Sequence, residues 1–193
     1  MEKNNKIEKI FESSSNSILD SKKLSKQIES SITLIIKSIK KGNKVILFGN
    51  GGSAADAQHM AAEFVGRFMK ERKSFPAIAL STDSSIITAI GNDYSFEKVF
   101  SRQAESLVKK GDVIIAISTS GESKNILEGI KTSKKIGAKI ISLTGENGIK
   151  MEKNSDIFLN VPSTITSRIQ EVHRTIIHII CEMVENELSK RDK

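Results

Sequence analysis

The spacing of apolar residues along the first forty positions predicts two helices. The first segment carries apolar residues at helical spacing at Ile7, Ile10, Phe11 and Ile18. The second repeats the pattern more strongly through Leu24, Ile28, Ile32, Ile35, Ile36 and Ile39. Asp20 and Ser21 lie between the two segments as turn and cap candidates, and Gly42 interrupts the second pattern.

Short apolar runs then alternate with further helical patterns. The run Val45-Ile46-Leu47-Phe48 has four continuous apolar residues, which is typical of a strand buried on both faces. Similar runs span 77–80, 113–117, 140–143 and 156–161, and a last helical pattern extends from about Thr166 to Leu188. This alternation predicts an α/β fold with a doubly wound, five-stranded parallel sheet. We expect one domain over 1–193, with N-terminal helices in 1–41 and the sheet core and C-terminal helix in 42–193.

The net charge of the chain allows several kinds of partner. Lys+Arg number 30 and Asp+Glu 23 among 193 residues, so the formal net charge is +7. Such a balance is compatible with nucleic acid, with acidic small molecules, or with Lys-rich helix faces in water. No aromatic residues interleave with the lysines to stack bases, and no helix-turn-helix or zinc-finger signature is present. We therefore expect no nucleic-acid partner.

Cysteine content and hydropathy bear on the compartment. Cys181 is the single cysteine, so no intramolecular disulfide can form and a reducing, cytoplasmic compartment is favoured. No stretch approaches the roughly 18 consecutive apolar residues of a membrane span. Lys and Glu interleave at the N-terminus where a signal peptide needs an apolar core, so we expect neither export nor a membrane partner.

Two loops that follow predicted strands carry candidate anion sites. The first, Gly49-Asn50-Gly51-Gly52-Ser53, precedes a helix expected to begin near Ala54, and its glycines can direct backbone N–H groups toward an anion. The second, Ser118-Thr119-Ser120-Gly121-Glu122-Ser123, has four hydroxyls in six residues at another helix start. It can bind a phosphate or simply cap its own helix, and its density of hydroxyls favours phosphate.

The glycine loop also resembles a dinucleotide-binding fingerprint. The letters Gly49-x-Gly51-x-x-Ala54 match it, but the acidic residue expected about twenty positions later is missing. A nicotinamide-dependent enzyme is therefore the less favoured interpretation.

The three histidines are candidates for metal binding or acid–base chemistry. His59 and Glu63 are four residues apart on a predicted helix, a spacing that suits two ligands of one divalent ion or a surface contact. His173 and His178 are five apart, about 140° around a helix, so they cannot share a site. Helical geometry alone does not say which of these two is functional.

Four blocks of the sequence together resemble the phosphoheptose isomerases of the sugar-isomerase (SIS) family. They are GNGGSAADAQHMAAEFVGRF (49–68), ALSTDSSIITAIGNDYSFEKVFSR (79–102), residues 118–125, and RIQEVHRTIIHIICE (168–182). The resemblance implies a flavodoxin-like SIS fold and conversion of sedoheptulose 7-phosphate to D-glycero-D-manno-heptose 7-phosphate, the first step toward activated heptose for surface polysaccharides such as lipopolysaccharide. It also implies a homotetramer, assembled in part through the N-terminal helices, with one zinc ion per subunit.

The resemblance further implies a role for each matching residue. The metal ligands would be His59, Glu63, Gln170 and His178, with Glu63 and His178 as the catalytic acid–base pair. The sugar would be bound by Asn50, Gly51, Gly52, Ser53, Glu63, Asn92, Asp93 and Gln170. The phosphate would be bound by Ser118, Thr119, Ser120 and Ser123. His173 matches the family motif, and we assign it no catalytic role.

Two features of the sequence complicate this assignment. Gln170 and His178 are eight residues apart, about 12 Å along a regular helix, so one ion can bind both only if the helix start is loosened or if different subunits contribute. Glu122 also stands where the family commonly has Asn, and a carboxylate would repel a phosphate unless it points away.

A second function class is a non-enzymatic SIS protein that associates with the bacterial replication initiator. That branch of the family lacks the Glu and the second His at the positions of Glu63 and His178. Because both are present here, the isomerase is favoured.

Overall fold

The computed structural model describes residues 2–191, and its elements alternate as the sequence predicts. The helices are α1 (Glu2–Asp20), α2 (Ser25–Lys40), α3 (Gly52–Val65), α4 (Ser84–Asp93), α5 (Val99–Leu107), α6 (Lys124–Ile136), α7 (Ile149–Glu152) and α8 (Thr166–Leu188). The strands are β1 (Val45–Gly49), β2 (Ala77–Ala79), β3 (Val113–Ser118), β4 (Lys139–Thr144) and β5 (Ile157–Asn160). Short 3-10 turns span Ser21–Leu24, Phe96–Lys98 and Ser189–Arg191.

The five strands form one parallel sheet in the order β2-β1-β3-β4-β5. Val45 pairs with Ala77 on one side and with Val113 on the other, so the chain reverses its winding direction between β1 and β3. In open α/β sheets ligands bind at this switch point, beyond the carboxyl ends of the strands. The predicted doubly wound, flavodoxin-like sheet is confirmed, and the loops after β1 and β3 lie at its switch point.

The core has two layers because side chains alternate across the sheet. Val45 and Leu47 face a cluster built with α2, α3 and α8. Ile46 and Phe48 face the opposite cluster, which includes side chains of α5 and α6. All four are fully buried, as the continuous apolar run predicts for a central strand.

The two longest helices lie on the same side of the sheet. α1 has 19 residues and α8 has 23, and α8 packs against α1, α2 and α3. No helix between residues 2 and 191 is long and apolar enough to span a bilayer. The packing of α3 on α8 determines which polar side chains meet.

Candidate active site

The glycine loop after β1 directs the chain straight into α3. Gly51 has φ +54, a left-handed conformation that favours glycine, and it precedes the first residue of the helix. α3 therefore begins at Gly52, two residues earlier than the sequence predicts. Ser53 is buried in the first turn, so its hydroxyl is withdrawn from the surface that Asn50 and Gly51 present.

The hydroxyl-rich loop after β3 folds tightly at the start of α6. Gly121 has φ +66 and donates its N–H to Ser118 Oγ at 3.1 Å. Ser123 is the N-cap residue of α6 but makes no side-chain capping hydrogen bond. Because the loop does not cap its own helix in this way, its hydroxyls and the helix N-terminus remain suited to an anion.

A pocket of about 230 Å³ opens beside this loop. Its lining includes Thr119, Ser120 and Glu122 from the loop, together with Ser163 and Thr164 from the segment before α8. Glu122 is mostly exposed and forms a 2.9 Å ion pair with Lys150. The carboxylate thus lines the pocket, and the lysine offsets its charge.

The two loops are joined by an amide pair that the sequence patterns did not predict. Asn50 and Asn125 each donate a side-chain N–H to the other's side-chain oxygen, both at 2.9 Å. Asn125 lies in the first turn of α6 and is buried. Asn125 could have been noticed from the sequence because it lies within the 118–125 block. Its pairing with Asn50, 75 residues away, could not be inferred from that block.

The main polar cluster lies where α3 packs on α8. His59 Nε2 lies 2.9 Å from His178 Nε2 and 3.5 Å from Glu63 Oε1. The ring of Phe68 lies against His178, with centroids 5.8 Å apart. The structure thus brings together three of the predicted site residues, two from α3 and one from α8.

An ion pair between the partly exposed Arg174 and the buried Asp56 lies next to this cluster. Arg174 Nε donates to Asp56 Oδ1 at 2.8 Å, one turn before His59 on α3. Burial lowers the pKa of His59, and the Arg174 charge lowers it further while Glu63 opposes the shift. Burial also raises the pKa of Asp56, and Arg174 offsets part of that rise. His59 is therefore kept neutral, the form in which an imidazole binds a metal or accepts a proton.

These donors suit zinc in their chemistry. Two imidazole nitrogens and a carboxylate form a common zinc-binding set, and tetrahedral ligands at about 2.0–2.1 Å from the ion stand about 3.3 Å apart. The two Nε2 atoms are 2.9 Å apart, so a shift of about half an ångström would let His59 and His178 share an ion. No three His, Cys, Asp or Glu side chains within residues 2–191 already have the mutual arrangement of a metal site.

Other predicted site residues lie apart from this cluster. α8 is helical from Thr166, and Gln170 packs so closely on Gly52 that a Cβ there would collide with its amide. Gln170 therefore lies within regular helix, and the loosened helix start that one ion would need to bind both Gln170 and His178 is not observed. Asn92 and Asp93 are exposed at the end of α4, where the Asn92 amide donates to Asp93 at 2.9 Å.

His173 belongs to the core. Its ring is fully buried, and Nε2 lies 3.2 Å from the carbonyl oxygen of Thr144 at the end of β4. Burial lowers its pKa to about 4, although the Thr144 contact opposes the shift. This placement separates it from His178, as helical geometry predicts.

Comparison with known proteins identifies the family. The family described as the SIS domain matches residues 10–145. A phosphoheptose isomerase of Aquifex aeolicus is 51% identical over 187 residues, covering 96% of this chain and 98% of its own. A probable phosphoheptose isomerase of Thermoplasma acidophilum is 58% identical over 151 residues, covering 78% of this chain and 83% of its own.

Solved structures agree with the sequence relatives. The phosphoheptose isomerase of Neisseria gonorrhoeae superposes with a TM-score of 0.90 at 39% identity, covering 95% of this chain and 98% of its own. That of Francisella tularensis gives a TM-score of 0.91 at 34% identity, covering 96% and 100%. The chain belongs to the phosphoheptose isomerase family of SIS-domain proteins.

Proposed function

We propose that the protein is a ketose–aldose isomerase that converts sedoheptulose 7-phosphate to D-glycero-D-manno-heptose 7-phosphate. One observation carries the proposal: Glu63 and His178, from different helices, both approach the same nitrogen of His59. A carboxylate and an imidazole close together are the two groups that this reaction needs. The names of the relatives, all phosphoheptose isomerases, support the same substrate class.

The two residues divide the proton transfers. Glu63 removes the proton from C1 of the ketose and returns it to C2, passing through an enediol(ate). His178 moves a proton between the oxygens on C2 and C1, so the product differs from the substrate only in the positions of two hydrogens. No electron acceptor is required, which agrees with the missing ribose-binding carboxylate of a nicotinamide enzyme.

His59, Glu63 and His178 would hold the zinc ion. When bound, the ion would supply positive charge beside the oxygens of the enediolate.

The loops at the switch point would hold the two ends of the substrate. Ser118, Thr119, Ser120 and Ser123 would bind the phosphate at the start of α6, and Asn50, Gly51 and Gly52 would contact the sugar. A fixed phosphate restrains the reacting carbons and so supplies orientation to the proton transfers. Lys150 would reduce repulsion by Glu122 at this end.

A homotetramer would complete the site. α1 exposes Ile7, Ile10 and Phe11 by 53%, 56% and 73%, and a groove of about 930 Å³ lies between α2 and α8. Apolar surface of this kind supports burial against further copies of the chain. Neighbouring subunits would then supply Gln170, Asn92 and Asp93, which lie away from His59 within one chain. We place this assembly in the cytoplasm, the compartment that a single reduced cysteine favours.

Turnover of sedoheptulose 7-phosphate tests the proposal directly. Wild type should produce the aldose and exchange a carbon-bound hydrogen with D₂O, both followed by NMR. Glu63→Gln should lose at least about a hundredfold in kcat and His178→Gln a similar amount. Glu71→Gln is the matched control, since its carboxylate is 93% exposed, and it should keep wild-type activity. Unchanged rates in both site variants would refute the proposed acid–base pair.

Metal analysis tests the zinc assignment separately. Purified protein should contain about one zinc per subunit, and His59→Ala should lose it. Retained activity in protein verified as metal-free would leave His59 and Gln170 with structural or substrate-binding roles.

The product would be used for activated heptose destined for surface polysaccharides. The alternative, association with a replication initiator, is not favoured, because Glu63 and His178 are present and the relatives are named as isomerases. If this protein captured the initiator and showed no detectable isomerase activity, the initiator-binding function would be favoured over the isomerase.

A further inference from the structure

A buried ion pair lies beyond the catalytic cluster at the end of α3. Arg72 Nε donates to Glu185 Oε1 at 3.0 Å, and each side chain is only 2% exposed. Arg72 belongs to the loop over 66–76, and Glu185 lies on α8 seven residues after His178. Seven residues are nearly two full helical turns, so Glu185 and His178 share one face of α8.

Glu185 holds the 66–76 loop by its backbone. Its two carboxylate oxygens accept the N–H groups of Phe68, Met69 and Lys70 at 2.9, 2.7 and 2.8 Å. Burial would raise the pKa of Glu185, but these three N–H groups and Arg72 lower it overall. The carboxylate is therefore ionised in the neutral pH range and acts as an acceptor for four donors. Phe68, whose backbone it holds, places its ring against His178.

Arg72 binds the C-terminal end of α3. Its guanidinium donates to four backbone carbonyls, those of Glu63, Phe64, Gly66 and Lys73. The first two belong to the last turn of α3, where carbonyl groups lack partners within the helix. A cation at a helix C-terminus also interacts favourably with the helix dipole. Arg72 thus restrains the helical turn that carries Glu63.

We propose that Arg72 and Glu185 are positioning residues that hold Glu63 and Phe68 in place relative to His178. This inference rests on the proposed isomerase. Through Arg72 the backbone of Glu63 is tied to α8, and through Glu185 the backbone of Phe68 is tied to the same helix. Neither residue contacts the reacting atoms. Weakening the pair lets the last turn of α3 move, and a misplacement of about 1 Å can reduce a rate about a hundredfold.

The variants Glu185→Gln and Arg72→Lys test this role. In Glu185→Gln one acceptor oxygen becomes an NH₂ group that faces N–H donors, and in Arg72→Lys one ammonium replaces a fork of five donors. We expect kcat to fall by about ten- to a hundredfold, with KM within about threefold of wild type because the phosphate loop is untouched. If Glu185→Gln does not fold, Arg72→Lys carries the test.

Asp112→Asn is the matched control. Asp112 is also a buried carboxylate, accepting backbone N–H groups of Lys44 and Lys109 and the Lys44 ammonium, but it lies at the amino end of β3. The variant Asp112→Asn should lower Tm by about as much as Glu185→Gln does, while kcat stays within about twofold of wild type. Equal kcat in Glu185→Gln and Asp112→Asn would show a structural role only and overturn the proposal.

Amide hydrogen exchange gives a second measurement that does not depend on turnover. In wild type the amides of Phe68, Met69 and Lys70 should be protected, and Glu185→Gln should accelerate their exchange. Unprotected amides in wild type would overturn the proposed restraint of the loop. Wild-type protein that is inactive on sedoheptulose 7-phosphate would instead refute the proposed function, and the catalytic role of the pair with it.

Discussion

His173 makes the stability of the fold depend on pH. Its ring is fully buried, and burial lowers its pKa from the ordinary 6.5 to about 4. The unfolded chain therefore binds more protons than the folded one between these two values. The stabilising contribution is complete above pH 6.5 and is lost as the pH falls toward 4.

The size of the loss follows from the shift. At about 1.4 kcal/mol per pKa unit, the full difference between 6.5 and about 4 corresponds to roughly 3 kcal/mol of unfolding free energy. Most of this contribution from His173, about 2–3 kcal/mol, is lost between pH 7.5 and 4.5. This loss is a substantial part of the free energy of unfolding of typical folded proteins, which is about 5–15 kcal/mol.

Urea denaturation at a fixed protein concentration measures the effect. His173→Gln keeps a donor for the Thr144 carbonyl but cannot be protonated, so its free energy of unfolding should decline less on acidification. Other titrating groups, His59 included, are present in both proteins and cancel in the comparison. The difference in unfolding free energy between wild type and His173→Gln should change by about 2–3 kcal/mol between pH 7.5 and 4.5. A difference that stays constant over this range would refute the assignment of the buried neutral ring.

Three further predictions concern other parts of the molecule. Gly121→Ala should distort the loop after β3, because Gly121 has φ +66 and an added Cβ would collide with Gly148. We expect KM to rise about tenfold in steady-state kinetics. An unchanged KM would argue against phosphate binding at this loop. Arg174→Met should lower the free energy of unfolding, measured in urea, by about 2 kcal/mol because it leaves the buried Asp56 carboxylate unpaired. The double variant with Asp56→Asn should recover most of this lost stability. Phe11→Ser should shift the oligomer toward smaller species in light scattering, and an unchanged mass would exclude the exposed face of α1 from the assembly.

The fold was largely predictable because its signals are local. The run from Val45 to Phe48 predicts a buried central strand, and the structure places all four side chains in the core. The final helix was predicted from Thr166 to Leu188, the bounds that α8 has. Local patterns were less informative at the start of α3, where the left-handed conformation of Gly51 allows the helix to begin two residues early.

The candidate site was predictable in its residue types but not in its contacts. Sequence spacing paired His59 with Glu63 and separated His173 from His178, and both relations hold in the structure. The approach of His59 to His178 joins positions 119 residues apart. Arg72 and Glu185 are 113 residues apart and had no motif to signal them.

The sequence by itself determined the alternating strands and helices, the family, and which residues are candidates for binding a phosphate or moving a proton. These depend on local periodicity and on short motifs, which are properties of neighbouring residues. The tertiary structure decided which helix faces meet. Because α3 packs on α8 in one register, His59 meets His178 while Gln170 lies beside Gly52. Such contacts depend on the packing of the whole core, which no local pattern contains.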